Sequence, residues 1–335
     1  MYKRNLVIEK WTMICLALAV LSCKDQKNSV DATGNLEIQE GIATEYAGDK
    51  GIDEHPDVIF ASDFENDFEG WSKFNPKVSQ ILENETISHC GAKVLQTTAS
   101  KGENTGGDVI FKFPEDQDEI YLRFYTKFHK ETVMPHHFVK IRAFKPDPYW
   151  GNAGQRPNGD EAFWTGIEPS RKQTWQFYTY WHKMRSWQTY EGVPDTSRGP
   201  NPYYGNLFHP PDQQPFEREE WICVEAYMKA NTPGKSDGEM AFWINGDKIG
   251  EWKPGTPTGT WRGVRFVTAG EENLDPKPFE GFEFRSDSTV KISEISLQWY
   301  VSKQRAEEGN ADENIVYFDD VVIASEYIGP RRDSE

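Results

Sequence analysis

Trp221-Ile222-Cys223-Val224-Glu225-Ala226-Tyr227-Met228-Lys229-Ala230-Asn231-Thr232-Pro233-Gly234 is the stretch on which the fold reading turns. Val224, Ala226 and Met228 alternate with Glu225, Tyr227 and Lys229, the period of two expected of a half-buried strand. Turn residues end the run, and a second apolar run closes on Phe242-Trp243-Ile244-Asn245-Gly246. Asn-Gly after a strand is a strong hairpin signal.

The same grammar runs outward along the chain. Candidate strands are Val58–Ser62, Ala92–Thr97, Asp108–Phe113, Glu119–Phe128, His137–Phe144, Gln173–Ser186, Glu219–Ala230, Gly238–Ile244, Gly263–Thr268, Val290–Val301 and Val316–Ala324. Helical periodicity is scarce, and Gly and Pro separate the runs, so the pattern predicts an all-β sandwich. Two long segments rich in Gly, Pro, Asn, Trp and Tyr, Lys145–Arg171 and Glu191–Arg218, read as functional loops rimming one face.

The N-terminus is of another kind. Lys3, Arg4 and Lys10 precede an apolar run from Trp11 to Leu21. That run is too short for a membrane span of about 20 residues and has the length of a signal-peptide core. It ends in Val20-Leu21-Ser22-Cys23, which resembles the lipobox of bacterial lipoproteins. The resemblance implies removal of residues 1–22 and lipidation (palmitate included) of Cys23. The product would be a lipoprotein in the periplasm or at the cell surface, held at the outer membrane by lipid alone. Residues 23–56 are polar and read as a flexible tether. Residues 57–330 then form one domain, expected as a monomer.

The net charge of −17 over 335 residues argues against nucleic acid and against direct adsorption to anionic lipid. A polyanionic substrate requires a locally basic cleft. Of the four cysteines, Cys90 and Cys223 remain in the domain; they are either a disulfide or two separately buried thiols.

The stretch quoted first, with Asp237-Gly238 and Phe242–Gly246, resembles a concanavalin A-like jelly roll. The closing Val316-Tyr317-Phe318-Asp319-Asp320-Val321-Val322-Ile323-Ala324, followed by Tyr327-Ile328-Gly329-Pro330, is similar to the last strand of that fold. Phe60-Ala61-Ser62-Asp63-Phe64-Glu65 is similar to its first. Secreted polysaccharide lyases and other glycan-active proteins use this fold, so the resemblance implies a single jelly-roll domain gripping a glycan. Neither the intact signatures of alginate lyases nor the Glu-x-Asp-x-x-Glu strand of laminarinase-type hydrolases is present.

Strand parity selects the side chains facing a cleft. Arg123 and Tyr125 lie opposite Leu122 and Phe124. His136, Lys140 and Arg142 lie opposite Val139 and Ile141. Tyr178, Tyr180, His182 and Met184 lie opposite Trp175, Phe177 and Trp181. Glu225, Gln298 and Tyr300 complete the set. Cations beside Tyr and His suit β-elimination on a uronate glycan. The carboxylate must be neutralised, a base must take the C5 proton, and an acid must protonate the leaving oxygen. The expected roles are Arg142 and Lys140 on the carboxylate, His182 or His136 as base and Tyr180 as acid. Arg123, Tyr125, Tyr178, Glu225, Gln298 and Tyr300 are expected to bind substrate. His89, His129 and His209 read as structural. Asp63, Glu65 and Asp319 should be neighbours if the termini pair, either as a structural calcium site or as solvated turn acids. The leading expectation is a polysaccharide lyase with an anionic polysaccharide substrate. The alternatives are a non-catalytic glycan-binding protein and, last, a glycoside hydrolase.

Cys23→Ala should move the protein from the membrane fraction to the soluble one. Retention at the membrane would show that some other element anchors it.

Overall fold

The computed structural model describes residues 40–145, 153–270 and 272–332. The segment expected to be a signal peptide, and Cys23, lie outside the described residues. The strands in chain order are β1 (Val58–Ser62), β2 (Ser79–Glu83), β3 (Lys93–Ser100), β4 (Gly106–Gln117), β5 (Glu119–Phe128), β6 (Lys140–Phe144), β7 (Ala162–Pro169), β8 (Trp175–Tyr180) and β9 (Asn206–Phe208). They continue as β10 (Ile222–Lys229), β11 (Glu239–Ile244), β12 (Asp247–Trp252), β13 (Thr258–Arg262), β14 (Arg265–Val267), β15 (Lys277–Pro278), β16 (Ile292–Tyr300) and β17 (Glu313–Ala324). One short helix, α1 (Lys303–Glu308), precedes β17.

They form two sheets. Sheet I runs β12-β11-β10-β5-β17-β3-β2, with β1 also paired to β17. Sheet II runs β15-β13-β14-β9-β8-β7-β6-β16-β4. The long closing strand β17 pairs with β3 up to Phe318 and with β1 from Val321 onward, which brings the two ends of the domain together as the sequence suggested. The turn between β11 and β12 has Asn245 and Gly246 both at positive φ (51° and 88°), the backbone that the Asn-Gly pair favours.

The core is a layer of rings between the sheets. Phe138 stacks on Phe318 at 5.3 Å and lies within about one ring of Phe128, Trp175 and Trp299. Trp175, Phe177 and Trp181 belong to this core, so the parity assigned to β8 holds. Met184 is also core, not cleft, because the strand ends at Tyr180 and the chain turns. The largest departure from expectation is β7. It lies inside Lys145–Arg171, expected to be irregular, yet it is a central strand. Phe163, Thr165 and Ile167 point inward and Trp164, Gly166 and Glu168 outward.

The tether also ends earlier than expected. Residues from Glu40 to Pro56 fold back as three short 3-10 turns on the outer face of sheet I. Ile42, Ala43 and Ile52 are buried against Val322, Ala324 and Ile328. Arg123, wholly buried, forms an ion pair with Asp49 and donates to Gly329 O and Asp320 O. Breaking one side of such a buried pair costs about 3–5 kcal/mol. We therefore expect Arg123→Leu to lower the denaturation midpoint substantially and to open the bonds before Val58 to proteases. Unchanged stability and unchanged cleavage would refute the clasp.

Candidate active site

The outer face of sheet II is assembled by register. Lys140 stands opposite Ser296 on one side and Gly166 on the other, and Gly166 opposite Tyr178, so these four form one row across β16, β6, β7 and β8. Glu294, Arg142, Trp164 and Tyr180 form the next row. Glycine at 166 leaves a gap between Lys140 and Tyr178. A Cβ there would come within 2.8 Å of Glu168 Oε1.

One irregularity adds a histidine. Strict alternation would place His137 with Val139 in the core. Phe138 and Val139 are instead both fully buried, so the chain slips one position and His137 emerges on the same side as Lys140. Its Nδ1 is hydrogen-bonded to Glu168 Oε1 at 2.9 Å, and its ring lies 5.2 Å from that of Tyr178 and 5.8 Å from that of Tyr300. The Tyr178 and Tyr180 hydroxyls lie 3.3 Å apart, and Tyr180 stacks on Trp164 at 4.5 Å.

The charges on this face are unequal in their pairing. Arg142 is 2% exposed and bound to Glu294 at 2.9 Å and to Asp108 at 3.2 Å. Asp108 also accepts from Gln298 Nε2 and Ser296 Oγ. Lys140, by contrast, makes no hydrogen bond or ion pair among the described residues. Burial, with Arg142 nearby, pushes it down to about 8. Burial raises both Tyr178 and Tyr180, so their phenols keep their protons.

The expected site residues divide accordingly. Lys140, Arg142, Tyr178, Tyr180, Gln298 and Tyr300 share this face, with His136 at its rim against Tyr300 and His137. His182 lies beyond the strand end, with Nδ1 at 3.2 Å from Phe284 O and Nε2 at 3.8 Å from Glu283. Among the described residues no hydrogen bond or ring pair joins it to either tyrosine. Arg123, Tyr125 and Glu225 face outward from sheet I, on the other side of the molecule, and are corrected to structural roles. Glu225 accepts from the amides of Ile328 and Gly329, and the Tyr125 hydroxyl accepts from that of Arg331. His137, Glu168 and Asp108 were not singled out in the sequence. The adjacent pair His136-His137 was visible there, but which one faced out depended on the slip at Phe138.

The carboxylates expected to hold calcium accept backbone hydrogen bonds. Glu65 Oε1 is taken by the amides of Ala92 and Lys93, and Asp63 Oδ1 by that of Glu65. Burial and the adjacent Asp320 push Asp319 up. Among the described residues no three His, Cys, Asp or Glu side chains converge. Cys90 and Cys223 are free thiols.

No family model matches the chain, and no curated protein sequence matches it. Solved structures do. The alginate lyase vAL-1 from Chlorella virus is 13% identical, with a TM-score of 0.51 over 80% of this chain and 99% of that one. The alginate lyase Aly36B is 13% identical over 83% and 96% of the two chains, with a TM-score of 0.48. An endo-beta-1,4-glucuronan lyase from the fungus Trichoderma reesei is 13% identical over 80% and 95%, also at 0.48. The likeness to vAL-1 shows the fold. This chain is a jelly-roll sandwich of the kind found among polysaccharide lyases.

Lys140 supplies a stability test independent of activity. Because its proton is lost near pH 8 in the folded protein and near 10.5 in the unfolded chain, folding gains stability from this group as pH rises through that window. Lys140→Met removes the cost of the buried charge. It should be more stable than the parent at pH 7, by a margin that fades between pH 8 and 10.5. A margin independent of pH would refute the depressed value.

Proposed function

We infer that this protein is an extracytoplasmic polysaccharide lyase that cleaves a uronate-containing glycan by β-elimination. The observation that carries the reading is the unpaired Lys140, beside two protonated tyrosines and a histidine held by a carboxylate. A lone buried cation is unfavourable without an anion to meet it. A uronate carboxylate is such an anion, and its arrival holds the proton on Lys140.

The chemistry follows from the groups around it. Lys140 neutralises the carboxylate and makes the C5 proton acidic. Glu168 holds His137 through Nδ1, which leaves Nε2 free to take that proton. The C5–H electron pair becomes the C4–C5 double bond and the C4–O4 bond breaks. O4 departs with its electrons and takes the proton of Tyr178 or Tyr180. Arg142 is a positioning residue, since its guanidinium is committed to Glu294 and Asp108 beneath the row. The rings of Trp187 and Tyr204, each about two-fifths exposed on the long loop before β9, favour a second reading as a glycan-binding protein without turnover.

The test is ultraviolet absorbance from the unsaturated product on alginate, glucuronan and ulvan. Tyr178→Phe, Tyr180→Phe and His137→Ala are made in parallel. Loss of an acid or base costs about 10² to 10⁴ in rate, so His137→Ala and at least one of the tyrosine variants should fall by that much. For the free enzyme, kcat/KM should fall as pH rises through about 8, where Lys140 loses its proton, and Lys140→Gln should lack that limb. Binding of these polymers with no rise in absorbance would establish the second reading instead.

A further inference from the structure

A cavity of about 520 Å³ opens beside the proposed centre, lined by His136, Tyr300, Arg171, Lys303 and Arg305 among others. It shares a wall with the site. Tyr300 stacks on the His137 ring with 22° between the planes, and His136 meets both rings edge-on.

Its electrostatics run against the rest of the molecule. In a chain of net charge −17, three full cations and a histidine converge on one hollow. Arg305 is fastened by hydrogen bonds to Met134 O and Pro135 O, a fixed placement and not a waving surface chain. Arg171 has an exposed partner, Glu308 at 2.9 Å, a type of pair worth little in water. Lys303 has no ion pair among the described residues. Burial, His137 and Arg305 hold His136 below its ordinary value, and burial and Arg171 do the same for Arg305, with Glu168 and Glu308 opposing in part. Gathering like charges in this way is unfavourable by itself and becomes favourable only with an anion present.

We propose that this cavity binds a second anionic substituent of the same glycan, on a sugar next to the one whose carboxylate meets Lys140. The proposal rests on the glycan reading above and sharpens it. The substrate carries acidic groups on neighbouring residues, so isolated uronates in a neutral chain should be poor ligands. The group recognised is a carboxylate or a sulfate ester.

The experiment measures binding and turnover separately. The full-length protein, the double variant Arg171→Ala/Lys303→Ala and the site variant Tyr178→Phe are titrated with polyglucuronate, with alginate and with a sulfated uronate polymer, at low and at moderate salt. The double variant should bind about three- to tenfold more weakly than the parent and should show a shallower loss of affinity with salt. Tyr178→Phe should lose turnover and keep the parent's dependence of affinity on salt. The better ligand among the three tells carboxylate from sulfate. Equal affinity and equal salt dependence in parent and double variant overturn the proposal. If the parent binds these polymers through Arg171 and Lys303 but turns none over, the cavity assignment stands and the lyase reading falls. If the parent binds no acidic glycan, both fall.

Discussion

Phe138 must lie between the sheets, and much else in the site follows from that. Its ring is surrounded by Phe124, Phe128, Trp175, Trp299 and Phe318. A cavity left by losing such a ring costs several kcal/mol in typical cores. Val139, the next residue, is equally buried because β6 begins its regular alternation there. Two consecutive inward residues cannot belong to an ideal strand. The chain therefore slips before β6, and the slip turns His137 outward within reach of Glu168 and Tyr178. A packing demand of the core thus aims the candidate base.

Below that histidine the site is organised by what is paired and what is not. Asp108 and Glu294 absorb Arg142, and Gln298 and Ser296 fill the remaining positions on Asp108. In that cluster the cation is held between two carboxylates. Lys140, one row away, is left as the uncompensated charge. Two cations of the same strand, two residues apart, thereby acquire different work: Arg142 fixes the floor, and Lys140 is available to a ligand.

Sequence reasoning located most of this face and misplaced some of it for definable reasons. Period two identified Lys140, Arg142, Tyr178, Tyr180, Gln298 and Tyr300 as outward, with rings and aliphatic residues on the other parity. A sandwich, however, has two outer faces. Parity on β5 and β10 says only that Arg123, Tyr125 and Glu225 point out; which outside they reach is set by sheet order, which no single strand encodes. The strand β7 was hidden because Gly166 and Pro169 look like loop residues. Glycine is there to leave room beside Glu168, and Pro169 sits at the last strand position. The segment from Glu40 to Pro56 reads as tether because its few apolar residues, Ile42 and Ile52, are too sparse to show a period.

The clasp on sheet I has a mechanical side. Where the chain enters the domain, Ile42 N–H bonds to Tyr327 O and Ala43 N–H to Ile328 O, and Gly48 N–H reaches Arg332 O. A pull applied to the chain at Glu40 is met first by these few bonds and by Arg123, then by β1 along β17, all within sheet I. The strands that carry Lys140 and Tyr178 are joined to one another in sheet II and lie outside that load path. Tension on the N-terminal end would peel the clasp before it disturbed the register of the site.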